Sequence, residues 1–237
     1  MILFTLAIHY ITFDVYGTLL NMSSIGETIA KIAEENNFNP ETASSMYLTT
    51  EDEIMYGQDF MLLNEVINRT LFWTDTYLNQ NFFQKNYDRV VQAYKDLKPF
   101  PEVVESLQEL KSRGYILIMM SNSMEMIMKE NRKTLGDVFE KSYLADEIKA
   151  YKPRIEFFQY VHKDLDFDHN NHTHIANGYW WDIEPATKMN WKYKIWVNRN
   201  HMKGSSEFDP QIEVFYLNET LDYLPSLKED DHMTDQL

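Results

Sequence analysis

Four side chains able to do chemistry stand at or beyond the ends of short apolar runs: Asp14, Ser121, Lys152 and Asp182. In chain order they are a carboxylate, a hydroxyl, a fixed cation and a second carboxylate. A carboxylate is a weak nucleophile in water, but desolvation and accurate aim make it competent. A nearby ammonium lowers a carboxylate pKa, so Lys152 is expected to keep Asp14 ionised. Gly17, in Asp14-Val-Tyr-Gly-Thr-Leu19, lets the chain turn sharply so that backbone N–H groups face a bound anion. Thr18 adds a hydroxyl donor. Asp182 is expected to hold Lys152 in place, or else a metal. Each residue alone is a weak signal, because a single Asp at a strand end is more often a turn or a cap. Four at successive strand ends of one sheet are much harder to obtain by chance.

The elements that must position them follow from hydrophobic patterning. Tyr10–Val15 reads as a short strand. From about Ser23 to Asp96 the pattern is helical, with Leu63, Val66, Ile67 and Leu71 on one face and Asn39-Pro40 opening a helix. Phe72, Trp73, Tyr77, Phe82, Phe83 and Tyr87 are expected to pack these helices together. Val103, Leu107 and Leu110 make a further helix that stops at Gly114. Tyr115–Met120 reads as a parallel strand buried on both faces. Strands at Tyr143–Leu144, His174–Ala176 and Lys194–Val197 then alternate with helices, as in a doubly wound sheet. Ligands of such sheets sit beyond the carboxyl ends of the strands, where the four residues lie. The predicted fold is α/β: a Rossmann-like parallel core from 1–20 and 96–237, with an all-helical cap at 21–95.

The order and spacing resemble the haloacid dehalogenase-like hydrolases. Asp14-Val-Tyr-Gly-Thr-Leu is similar to the first motif of that family, where the Asp attacks the substrate. Ser121-Asn122 resembles the second, whose hydroxyl and amides hold the anionic part of the substrate. Lys152-Pro153 resembles the third, whose Lys orients the nucleophile, and Asn177 to Asp182 the fourth. The resemblance implies catalytic roles for Asp14, Ser121, Lys152 and Asp182, and substrate contacts from Tyr16, Thr18, Asn122 and Asn177.

Two positions separate halide from phosphate chemistry. Phosphatases of the family carry an acid two residues after the nucleophile to protonate a leaving alkoxide, and here that position is Tyr16. A halide leaves without a proton. Asn177 stands where the phosphatases have a Mg²⁺-binding Asp, and Mg²⁺ favours carboxylate oxygens. Trp181-Asp182 and Trp196-Val-Asn-Arg199 further resemble the L-2-haloacid dehalogenase branch. The expectation is an aspartyl-ester hydrolase acting on a 2-haloacid or similar small anionic organic acid, with no cofactor. The alternatives are a Mg²⁺-dependent phosphatase using Asp14, the Tyr16 carbonyl and Asp182, and a binding protein that has lost turnover.

Three departures bear on substrate. The branch has a halide-binding Arg early in the cap, but here Met46–Tyr56 contains Glu51, Asp52 and Glu53, and the first Arg is Arg69. Phe158 replaces a Tyr, and Asn177 replaces a Ser. An Arg introduced near Tyr47 or Thr50 is expected to help. His162, His169, His172 and His174 cluster in sequence, but as loop and strand residues rather than as a zinc site. Of Trp180 and Trp181, one is expected in the core and one in the cleft. A Ser121–His174–Asp182 triad is rejected, because no nucleophile elbow surrounds Ser121.

The 237 residues carry 22 Lys+Arg against 37 Asp+Glu, a net charge of -15. Such a field repels nucleic acid and anionic lipid, so neither is an expected partner. With no cysteine, disulfides and thiolate chemistry are excluded. The apolar start lacks the basic n-region of a signal peptide, and is read as a strand preceded by Met1–Ala7. Lys228–Leu237 reads as a frayed end. The expected address is the cytoplasm, and the dehalogenase resemblance implies a homodimer.

Overall fold

The structure, a computed structural model, describes residues 9–57, 59–208 and 210–228. The readings of Met1–Ala7 and of most of Lys228–Leu237 fall outside them. Among the described residues no helix is long and apolar enough to cross a membrane.

β1 (Tyr10–Asp14) enters the centre of the molecule with Ile11 to Asp14 all buried. Its exit is a two-residue strand, β2 (Leu20–Asn21), from which four helices are inserted: α1 (Ser23–Glu35), α2 (Pro40–Met55), α3 (Leu63–Leu78) and α4 (Tyr87–Lys95). Asn39 caps α2 by accepting from Thr42 N at 2.8 Å, with Pro40 in the first turn. The chain returns through β3 (Lys98–Pro99), which pairs antiparallel with β2.

The core then alternates: α5 (Val103–Ser112), β4 (Ile116–Ser121), α6 (Glu125–Thr134), β5 (Lys141–Leu144), α7 (Ala145–Ile148), α8 (Ile155–Leu165), β6 (His172–Ala176), α9 (Glu184–Lys188), β7 (Tyr193–Val197) and β8 (Ile212–Val214). The six long-range strands form one parallel sheet in the order β5-β4-β1-β6-β7-β8. The order in which strands are added reverses at β1, so the crevice beside β1 and β6 is the topological switch point where such sheets bind ligands. Asp14 ends β1 there, opposite Met120 of β4.

Two features were not expected from the sequence. β8 is short and half-buried, too brief to leave a periodic pattern. The aromatic face of α3 is solvent-facing: Phe72, Trp73 and Tyr77 are exposed, with Trp73 stacked on Tyr77 and edge-on to Phe72. The reason is angular, since Leu63, Val66, Ile67, Thr70, Leu71 and Thr74 already fill the buried stripe of α3. Phe83 is buried, as expected.

Candidate active site

The turn after β1 is made by Gly17, at φ 81°, in the left-handed region that a side chain would strain. It folds Thr18 back so that its hydroxyl donates to Asp14 Oδ2 at 2.6 Å. The Thr18 oxygen also accepts from the Asn177 N–H at 2.7 Å, which leaves the hydroxyl hydrogen for Asp14. Thr18 was expected to contact substrate. It holds the carboxylate instead, because it is wholly buried behind it.

Lys152 closes the other side. Its Nζ donates to Asp14 Oδ1 at 2.8 Å and to Asp182 Oδ1 at 2.7 Å, with all three side chains buried. Asn122 fixes the lysine backbone from β4, accepting from Lys152 N at 2.7 Å and donating to Lys152 O at 2.9 Å. Burial pushes the Asp14 carboxyl above its ordinary range, against the pull of Lys152, and the Asp182 charge adds to the rise. Lys152 pulls the carboxyl down, as expected of a nearby cation, while burial sets the net direction. Burial alone would draw the Lys152 ammonium down, but the two carboxylates raise it above its usual value.

Asp182 sits on one wide π-turn, Tyr179–Ile183. Gly178 permits it, since a Cβ there would fall 2.1 Å from Trp181 Nε1. Asp182 Oδ1 also accepts from His174 Nε2 at 3.2 Å. With a neutral imidazole donating to that carboxylate, His174 Nδ1 accepts the Thr12 hydroxyl hydrogen, at 2.9 Å. Thr12 in turn accepts from His172 Nε2 at 2.8 Å. Burial holds the His172 imidazole well below its ordinary pKa. The two histidines thus serve a buried hydrogen-bond rail to Asp182. Both lie within β6, whereas the sequence reading started the strand at His174.

A cavity of about 290 Å³ opens over Asp14. Tyr16, Asn122 and Asn177 line it. Tyr16 shares a 2.7 Å hydroxyl contact with Ser123, and Asn177 donates to Val197 O at 2.7 Å. Ser121 is not among the lining residues; its Oγ is buried at the end of β4 with no hydrogen-bond partner among the described residues. Trp180 and Trp181 both line the cavity, so neither is the core residue expected.

The far wall comes from α2 and α4. Leu48, Glu51, Asp52, Met55, Tyr56 and Tyr94 face the cavity. Glu51 is buried, and its Oε1 accepts from Tyr47 OH at 3.1 Å and, at short range, from Tyr94 OH. Desolvation, opposed by the two phenols, lifts its carboxyl to about 7. The sequence reading counted Glu51 only as repulsive charge. Its i,i+4 spacing from Tyr47, on the stripe of Ala43 and Thr50, was the signal that it points inward. Arg69, considered as a substitute for the absent cap arginine, is exposed beside Tyr87 and does not reach this cavity.

The site fits Mg²⁺ poorly. Both Asp14 oxygens and Asp182 Oδ1 already accept hydrogen bonds, leaving only Asp182 Oδ2 uncommitted among the carboxylate oxygens of that set. Among the described residues no group of three or more His, Asp or Glu is arranged to hold a metal.

Comparison with known proteins agrees with this geometry. The haloacid dehalogenase-like hydrolase family matches residues 8–190. The (S)-2-haloacid dehalogenase 4A of Burkholderia cepacia is 27% identical over 209 residues, covering 84% of this chain and 86% of that protein. A glyceraldehyde 3-phosphate phosphatase of Methanothermobacter thermautotrophicus is also 27% identical, over 185 residues, covering 74% of this chain and 79% of that one. The L-2-haloacid dehalogenase structure from Xanthobacter autotrophicus shares the fold at a TM-score of 0.74 and 17% identity, over 90% of this chain and 96% of that one. A parallel sheet with an inserted helical cap, an aspartate at the end of its central strand and a family match over most of the sequence lead to one assignment: the chain belongs to the haloacid dehalogenase-like hydrolases.

Proposed function

We propose that this hydrolase is of the dehalogenase type and works through an ester on Asp14, without a metal, on a small organic acid bearing a halide. The carrying observation is the clamp on Asp14: Lys152 on one oxygen and Thr18 on the other. A carboxylate held at both oxygens is aimed at whatever occupies the cavity. Asp14 forms a bond to the substrate carbon, and the electron pair of the C–X bond leaves with X. Whichever oxygen is alkylated, the other keeps a donor that polarises the ester carbonyl. Water attacks that carbonyl carbon, the alcohol departs, and Asp14 is regenerated.

Tyr16 supports this reading over a phosphatase, since burial raises its phenol far above the range of a useful acid. Within the proposal, Asn122 faces the anionic end of the substrate, with Ser121 buried behind the cavity lining, 21–95 is the cap, and the protein is a cytoplasmic homodimer. The test is a single turnover in ¹⁸O-labelled water with enzyme in excess over 2-bromopropionate. Label is expected in Asp14 and not in the first-turnover product. Label in the product, or turnover only of phosphate esters with Mg²⁺, overturns it.

A further inference from the structure

Resting on Asp14 as nucleophile, we propose that Glu51, in its protonated form, is the hydrogen-bond donor to the leaving group in this enzyme. A halide departing into a dry pocket needs a donor on the side away from the nucleophile. No lysine, arginine or histidine is among the described residues lining the cavity, and Lys152 is already shared between Asp14 and Asp182. The lining does hold Glu51, more than nine-tenths buried. Tyr47 and Tyr94 both donate to its Oε1, which leaves Oε2 to carry the proton. Two phenols thereby orient an acid.

The titratable groups around Glu51 leave its ionised form without a counter-charge. They are Tyr47 and Asp52 from α2, Tyr94 from α4, and Tyr16 and Tyr151 from the core, with no cation among them. Desolvation and Asp52 raise its carboxyl, while the phenols oppose the rise. As the C–X electron pair moves onto X, the Glu51 hydroxyl hydrogen-bonds the developing anion; chloride and bromide take no proton. Water then cleaves the ester, and the net change is R–X plus water to R–OH plus HX.

Activity should therefore belong to the protonated form, and kcat/KM should fall as pH rises through about 7. Wild type, Glu51→Gln and Glu51→Ala would be compared on 2-bromo-, 2-chloro- and 2-fluoropropionate from pH 5.5 to 8.5. The Gln side chain keeps a donor without titrating, so a reduced but pH-flat rate is expected. The Ala variant should lose roughly a hundredfold, and more for fluoride than for bromide, because the more basic anion needs the donor more. A structural role alone would slow all three equally. Iodide quenching of Trp180 and Trp181 gives a readout without turnover: saturable at pH 6 and lost at pH 8 in wild type, but unchanged with pH in the Gln variant.

A rate that rises with pH through 7, an Ala variant with equal losses for all leaving groups, or iodide binding indifferent to pH in wild type overturns the proposal. If Glu51→Ala does not fold, the wild-type and Gln profiles decide. Asp14→Asn on the same acids separates the two ideas, since retained turnover there removes the ester mechanism whatever Glu51 does. Absence of wild-type turnover on all three acids overturns both.

Discussion

Two carboxyl groups look into one cavity from opposite walls, and their surroundings differ in kind. Asp14, on the core wall, is buried against a full ammonium and a hydroxyl. Glu51, on the helical wall, is buried against two phenols and no cation. Burial raises both, but only Asp14 has a charge at contact distance to oppose the rise. A buried carboxyl with a cation can act as an anion; one with neutral donors tends towards the acid form near neutrality. One cavity can thus be lined by an anionic carboxylate and a proton-bearing carboxyl at the same pH.

The largest effect should come from removing the first of the pair. Asp14→Asn keeps the shape and should abolish turnover, by on the order of 10⁴-fold or more, with an unchanged thermal midpoint. Turnover near wild type in protein free of wild-type contamination would remove Asp14 from the comparison.

Lys152→Met makes the core wall resemble the helical one. It leaves Asp14 and Asp182 buried without their shared cation, and breaking such a group typically costs about 3–5 kcal/mol. Urea unfolding should register that loss at pH 7, together with loss of activity. Adding Asp182→Asn should recover much of the stability but none of the rate. Near-normal turnover in Lys152→Met would show that the ammonium is not needed at Asp14.

The helical wall makes a prediction of its own about pH. A carboxyl whose midpoint moves from 4.5 unfolded to about 7 folded binds more protons in the folded state across that interval. Its contribution is therefore favourable at low pH and lost as pH rises, by about 3 kcal/mol across the interval. Glu51→Gln does not titrate, so its stability relative to wild type should improve by that order between pH 5 and pH 8. A constant difference in denaturant midpoint over that range would contradict the raised carboxyl.

The smallest effect is a gain. Tyr47 and Thr50 are themselves buried, so the arginine expected near them belongs at an exposed neighbour rather than at either. Leu48 is 44% exposed and lines the cavity. Leu48→Arg should add a cation to a wall that has none, raising kcat/KM for 2-chloropropionate about tenfold, or about 1.4 kcal/mol. An unchanged rate would mean that charge on this wall does not limit the reaction.

The core wall was legible in the sequence because Asp14 and Ser121 end strands, although Lys152 follows α7 and Asp182 lies on the π-turn after β6. Asp14, Ser121 and Asn177 follow apolar runs that only a parallel sheet explains, and Lys152 and Asp182 follow in the same chain order. The helical wall was not legible. On a helix, facing is set by a few degrees of rotation and by the neighbours, so Glu51 read as one acid in a run of three, and Phe72, Trp73 and Tyr77 read as packing residues. The rail through Thr12, His172 and His174 escaped for another reason. It depends on strand register, Tyr10 beside His172 and Thr12 beside His174, across about 160 residues of chain.

Arg199 has a mechanical consequence. Its guanidinium donates to Thr18 O at 2.8 Å, pairs with Glu102 at 2.7 Å and lies 3.9 Å over the ring of Phe100. Phe100 N also donates to Leu19 O at 3.1 Å. The outgoing and returning strands of the four-helix insertion are therefore riveted side by side, one residue away from the β2–β3 ribbon. Any swing of the insertion pivots at that seam, where the arc is shortest. Leu48, Glu51 and Asp52 lie on helix α2, beyond the pivot, whereas Thr18 and Asp14 lie on the core side of the rivet. On this geometry a shift of the helical wall would leave Asp14 and Thr18 where they are.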